Sequence, residues 1–345
     1  KLTGAGDAAA AKKIALSILR EKITSYEQFN KDFPGFGGFL PWIKVTYRIE
    51  PTGDWRDRVP ALDNGEWVWS LYSAYHTLQN MGEDELAVRY KKYFNMLAKH
   101  APAIFYDNAL RKVRAEAKIK NPDATLITGS NYSNNISGYY LDDNYEGLMM
   151  VYFLTLFTDL PQSEKDHIWG DIKMEKITTS WGTTYKCWPP QSPLDGSPHI
   201  KWAFMFLPFT DNPMAMKVYA LQEKLRTNLN KYGIPVSTNT PGAIGYTQYE
   251  PNIFGIYGPF SMIYYFTLTG DVTRNNYGLG WLLNVLKVDK IQGPLGSGES
   301  FSVKPGTNEL EEISFLATVD GKMTLWLAIM GGNIDEIRQA LKKDG

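Results

Sequence analysis

The acidic run Asp142-Asp143-Asn144-Tyr145-Glu146 carries the side chains best suited to acid–base chemistry. Asp143 and Glu146 are three residues apart, so on a helix they share one face. Tyr139 and Tyr140 precede them and Tyr145 lies between them. Two carboxyls held close together beside aromatic rings titrate apart, and one stays protonated as a general acid. The same run also fits an acidic helix N-terminus favoured by the macrodipole. A second pair with this spacing is Asp63 and Glu66, followed by Trp67 and Trp69. It suits a sugar-binding carboxylate beside a stacking ring. It equally fits a capping box, with Asp63 as N-cap and Glu66 at the third helical position.

Three further groups offer polar or aromatic ligand contacts. The loop Gly245-Tyr246-Thr247-Gln248-Tyr249-Glu250 runs on to Tyr257-Gly258-Pro259 and mixes amides, phenols and one acid, as polar binding sites and ordinary turns both do. Asp320-Gly321 precedes an apolar helical pattern, where Asp is a cap or a displayed carboxylate. Trp181, Trp188 and Trp202, with Tyr185 and His199, flank a Pro-rich stretch. Tryptophans in a loop are costly to expose without a ligand, so they form a sugar platform or pack the loop onto the core.

Other chemistries are set aside. His76, His100, His167 and His199 are far apart, and neither HExxH nor CxxC spacing occurs, so no metal is expected. No nucleophile elbow of the Gly-x-Ser-x-Gly type is present. Gly293–Gly298 lacks the Lys-Ser/Thr of a phosphate loop, and Cys187 has no activating neighbour. No cofactor is expected. The 36 basic and 37 acidic residues nearly cancel, which leaves no surplus to neutralise phosphates and argues against a nucleic-acid partner. Aromatics make up 14% of the 345 residues, a surplus that suits flat, wet ligands such as sugars or else a large aromatic core.

The elements that must hold these groups read as helices. Apolar periodicity predicts helices over Asp7–Lys22, Glu66–Met81, Glu83–His100, Ala103–Lys118, a segment through Leu148–Phe157 capped by Asp142 or Asp143, and Ser163–Lys176. Further patterns lie at 199–206, 213–232, 259–268, 277–288, 310–317, 321–330 and 334–343. Strand alternation is confined to Lys44–Ile49 and Phe301–Lys304. Neighbouring helices with short connections predict an all-α toroid of the (α/α) type with short β elements in rim loops, with an open α-bundle as the alternative. No linker interrupts residues 1–345, so one domain is expected, acting as a monomer. No run of 18 apolar residues occurs, so no membrane span is expected. The sequence opens at Lys1 without an apolar leader, which suggests a processed chain, and two sequons at Asn131 and Asn135 fit a secreted or periplasmic location.

Taken in order, these pieces resemble the glycoamylase-like clan of glycoside hydrolases, which includes the endo-β-1,2-glucanases of families 144 and 162. Gly35-Phe36-Gly37-Gly38-Phe39-Leu40 is similar to the clan's early Gly-Phe-rich strand. Ala61-Leu62-Asp63-Asn64-Gly65 resembles an element opening the next helix, with Asn64 where the clan has Thr. Tyr145-Glu146-Gly147 resembles the acidic element at the head of a barrel helix. Gly245-Tyr246 through Pro259 resembles a later loop, and Asp320-Gly321 an Asp-x-Gly element without its spacer. The resemblance implies an (α/α)6 barrel that hydrolyses a β-1,2-glucan with inversion. It implies Glu146 as acid and Asp320 as base, with Asp143, Asp63 and Glu250 binding sugar hydroxyls or tuning Glu146. Glu66, Trp67, Tyr139, Tyr140, Trp181, Trp188, Trp202, Tyr246 and Tyr257 are the other expected contacts to a poly- or oligosaccharide. Two other readings remain open. A lyase or glycosyl-transferring relative needs a Tyr or His base with Arg or metal, and a non-catalytic glycan-binding protein needs the aromatics but no acid pair.

Overall fold

A computed structural model of the chain describes residues 7–135, 139–142, 147–172, 175–178, 184–187, 206–208, 253–255, 292–293, 296–297, 300–304, 307, 309–314 and 334–344. The fold is helix-rich with short antiparallel strands. Its residues fall into two compact units, one made of Lys1–Asp142 with Gly147–Ile172, the other of Asp143–Glu146 with Lys173–Gly345.

The described part of the first unit is built on five α-helices. Helix α1 (Ala8–Asp32) begins where Asp7 accepts hydrogen bonds from the Ala9 and Ala10 amides. Helix α2 (Ala61–Asn80) is followed by the turn at Met81-Gly82, where Gly82 takes a left-handed φ of 74°. Helix α3 (Asp84–Phe105) buries Leu86, Tyr90, Tyr93, Phe94, Leu97, Ala101 and Ile104, the three- and four-residue spacing of one apolar face. Helix α4 (Leu148–Phe157) is apolar throughout and packs on α2 and α3. Helix α5 (Gln162–Asp171) follows after Pro161. Among the described residues, part of the aromatic complement fills this core: Trp69, Tyr72, Phe94, Phe153 and Phe157 meet with ring centroids 5.0–6.0 Å apart.

Several expectations are corrected. Residues 103–118 do not form one helix. The chain leaves α3 and makes β4 (Tyr106–Asp107), β5 (Lys112–Val113) and β6 (Glu116–Ile119). The cause is turn chemistry: Asp107 accepts from the Ala109 and Leu110 amides, and Arg111 takes a left-handed φ of 56°. The Gly-Phe segment is not a strand. Pro34–Phe36 is a single 3-10 turn, and Gly37 and Gly38 have φ of 62° and 92°. Lys44–Ile49 is a hairpin, β1 (Ile43–Val45) paired with β2 (Ile49–Pro51). Strand β3 (Arg58–Pro60) pairs with β6, and β6 with β7 (Tyr132–Asn134).

In the second unit, β8 (Glu175–Thr178) pairs with β9 (Thr184–Cys187), so the helix expected to reach Lys176 ends at Asp171. The helix expected at 310–317 is a strand as far as it is described. β10 (Ile253–Gly255), β13 (Ser300–Val303) and β14 (Leu310–Ser314) form one sheet, and β11 (Gln292–Gly293) pairs with β12 (Gly296–Ser297) in a separate hairpin. Lys304 closes the β13–β14 connection, its amide donating to Glu309 O at 2.9 Å and its ammonium pairing with Glu309 at 2.8 Å. The terminal helix Ile334–Asp344 is present, with acids in its first turn and lysines in its last. The patterns at 199–205, 213–232, 259–268, 277–288 and 321–330 lie outside the described residues.

Candidate active site

Asp63 stands in the first turn of α2, and it is not the cap. The helix starts two residues earlier, at Ala61, with Pro60 as N-cap. Pro60 ends β3, and the Ala61 amide donates to Ala115 O at 2.8 Å, so the chain passes from sheet to helix without a side-chain cap. The capping-box reading of Asp63 and Glu66 therefore falls. The Asp63 carboxyl is left to a longer contact: Trp42 Nε1 donates to Asp63 Oδ2 at 3.4 Å. Asp63 is exposed to solvent, yet protein crowds it enough that loss of hydration raises its pKa, against the opposing bonds from Trp42 and its own backbone. A carboxyl that water touches but protein surrounds is typical of a concave floor.

Asn64, beside it, is buried and ties this corner together. Its Nδ2 donates to Leu40 O and Pro60 O, both at 2.7 Å, and its Oδ1 accepts from the Leu40 amide at 3.0 Å. This fixes the segment that carries Trp42 against the head of α2. The clan's Thr cannot donate two such bonds while accepting a third. Glu66 is half-buried one turn on, its carbonyl accepting from Ser70 Oγ at 3.1 Å. Trp67 is also half-buried. Its ring meets Tyr26 of α1 at 5.1 Å and Tyr93 of α3 at 5.9 Å, edge to face in both cases.

Tyr139 and Tyr140 belong to a second cluster that leads into the acidic run. Arg114, buried at 6% exposure, donates from Nη1 to Ile104 O and Tyr106 O and pairs with Asp107 at 3.4 Å. Tyr140 donates its hydroxyl to Asp107 at 3.4 Å; burial and the neighbouring carboxylate both raise its pKa. Tyr139 O accepts from Asn134 Nδ2 at 3.4 Å. The Leu141 amide donates to Val113 O at 2.8 Å, and Asp142 pairs with Lys112 at 3.3 Å. Asp142 thus faces β5 and does not cap α4, whose N-cap is Gly147 with no side-chain bond. A Cβ on Gly147 would come within 2.5 Å of Leu141 Cδ2. Leu141 and Gly147 are therefore packed against each other.

Asp143 and Glu146 themselves lie outside the described residues, as do Asp320, Trp181, Trp188, Trp202, Tyr246, Glu250 and Tyr257. Two residues of this corner were not singled out from sequence. Trp42 follows Pro41 directly after the Gly-Phe segment, a Trp in a loop like the three that were noted. Glu116 is buried on β6 between Arg58 and Asn135, and burial raises its pKa despite both donors. No spacing rule marks it, because its partners are 58 and 19 residues away.

Comparison with known proteins places these features in a family. The structure of the endo-β-1,2-glucanase from Talaromyces funiculosus with sophorose aligns with a TM-score of 0.80 and 26% identity, over 98% of this chain and 71% of that one. A Glu-to-Gln mutant of that enzyme with β-1,2-glucan aligns with a TM-score of 0.79, again at 26% identity, over 97% and 71%. No curated protein matches the chain. The family model for the endo-β-1,2-glucanase SGL of glycoside hydrolase family 162 matches residues 2–242 and 247–345. The chain belongs to the endo-β-1,2-glucanase SGL family of glycoside hydrolases.

Proposed function

We propose that this endo-β-1,2-glucanase inverts, with Glu146 as general acid and Asp320 as general base. The observation that carries the reading is the near full-length likeness to an enzyme whose structures are with sophorose and, in a Glu-to-Gln mutant, with β-1,2-glucan. A glutamine has no acidic proton to give the leaving oxygen, so a glutamate that acts as the acid is lost on that replacement. Glu146 is the glutamate of the acidic run. Asp143, Asp63 and Glu250 bind sugar hydroxyls or tune the acid, and the remaining aromatic residues of the expected set line the glucan path. The architecture in this reading is an (α/α)6 barrel forming one catalytic domain, active as a monomer outside the cytoplasm.

The test is linear β-1,2-glucan with the products followed by proton NMR. Inversion releases the α-anomer first, and mutarotation follows. Initial release of the β-anomer overturns the inverting mechanism. Glu146→Gln lowers kcat by about 10²–10⁴-fold with an unchanged thermal midpoint, the usual size of a lost general acid. Retained turnover excludes Glu146 as the acid.

A further inference from the structure

We infer that Trp42 and Asp63 form a glucosyl-binding subsite on the first unit, with the exposed indole as stacking platform and the carboxylate as hydroxyl acceptor. The inference rests on the β-1,2-glucan reading and adds a place where one sugar of the chain is held.

Trp42 is 52% exposed, a large apolar ring displayed at a loop. Such a ring is held rigid here from three directions. It stacks on Trp55 with centroids 4.9 Å apart and planes 23° from parallel. Trp55 is buried, with the Arg58 guanidinium 4.9 Å from its ring centroid. Arg58 is fixed in turn by Asp54 O at 2.6 Å and by Glu116 at 3.4 Å. The Trp42 carbonyl accepts from the Thr52 amide and hydroxyl at 2.9 and 3.2 Å, and the indole N–H reaches Asp63. An indole needs none of this to sit at a surface. A pre-set ring loses little entropy when a ligand lands on it.

The chemistry beside the ring selects the ligand. A glucosyl unit presents a C–H face that covers an aromatic ring and hydroxyls at its rim that donate to a carboxylate. Trp42 and Asp63 offer those two partners in direct contact. Burial around Asp63 strengthens the case, since a carboxylate short of water gains more from a sugar hydroxyl than a fully hydrated one.

The experiment compares wild type, Trp42→Phe and Trp42→Ala, using sophorose and a longer β-1,2-linked oligosaccharide in calorimetry and β-1,2-glucan in kinetics. Trp42→Ala weakens oligosaccharide binding and raises KM by about five- to tenfold, the size of one aromatic contact, with kcat nearly unchanged. Trp42→Phe recovers part of the loss. A purely structural tryptophan would lower the thermal midpoint and leave KM alone, and that result overturns the subsite. So does Trp42→Ala that binds and turns over like wild type, while the glucanase reading stands. Wild type that binds through Trp42 without cleaving sinks the glucanase reading and keeps the subsite. Wild type that does not bind at all overturns both.

Discussion

Asp63 is a residue whose charged form is disfavoured by the fold around it. Its pKa is raised in the folded chain, mainly by burial, so the folded state disfavours its charged form. A raised carboxyl contributes full stability below the unfolded value of 3.8, and stability falls as pH rises through the folded value. Asp63→Asn removes that penalty. The variant melts higher than wild type at neutral pH, and the two melting points converge as pH drops below the ordinary Asp range. A lower melting point at neutral pH would mean that the ionised carboxylate stabilises the fold. The same change lowers kcat/KM by about tenfold or more, because an amide accepts a sugar hydroxyl less strongly than a carboxylate. The sequence marks Asp63 as special but leaves cap and ligand equally open. The helix start at Ala61, set by Pro60 and the Ala115 carbonyl, removes the cap reading.

At the scale of elements, α2 and α4 cross at close range. Trp69 Nε1 donates to Met149 O at 2.9 Å, and Gly65 lets the helices approach. A Cβ at Gly65 would lie 2.7 Å from Met150 N and 3.0 Å from Met149 Cβ. Alanine gains about 1 kcal/mol over glycine in a helix interior. Here the backbone contact outweighs that gain, and Gly65→Ala costs about 1–3 kcal/mol net in urea unfolding, as overpacking does. A variant more stable than wild type would refute the close crossing. The helices themselves are legible from periodicity, since α3 repeats buried residues every three or four positions. The strands at 106–119 and 310–314 are not. Lys-Val-Arg-Ala-Glu-Ala-Lys-Ile reads as helix by propensity, but β6 is held between β3 and β7, partners that no local window contains.

For the molecule as a whole, one half-buried histidine makes stability depend on pH. His100 lies beneath the Gly-Phe turn, its Nδ1 2.8 Å from Gly37 O. Burial lowers its pKa below the ordinary 6.5, outweighing that bond. The unfolded chain then binds the proton more readily, so stability is lost as pH falls through the ordinary histidine range. Urea midpoints measured across that range drop for wild type and stay flatter for His100→Gln; parallel curves would assign the loss elsewhere. Family membership was legible from scattered motifs, whereas the position of Trp42 beside Asp63 depends on a fold that joins residues 21 apart. One consequence of the Asn64 latch concerns chemical ageing. Asn64 precedes Gly65, and an Asn-Gly pair in an open chain deamidates readily through attack of the glycine nitrogen on the side-chain amide. The α-helical backbone forbids that attack, and the amide is already committed to Leu40 and Pro60. Deamidation therefore waits on opening of the head of α2. Once it occurs, a carboxylate faces two carbonyl oxygens and the latch cannot re-form. The slow covalent clock of this enzyme thus counts the excursions of one helix end, and its first casualty is the loop that carries Trp42.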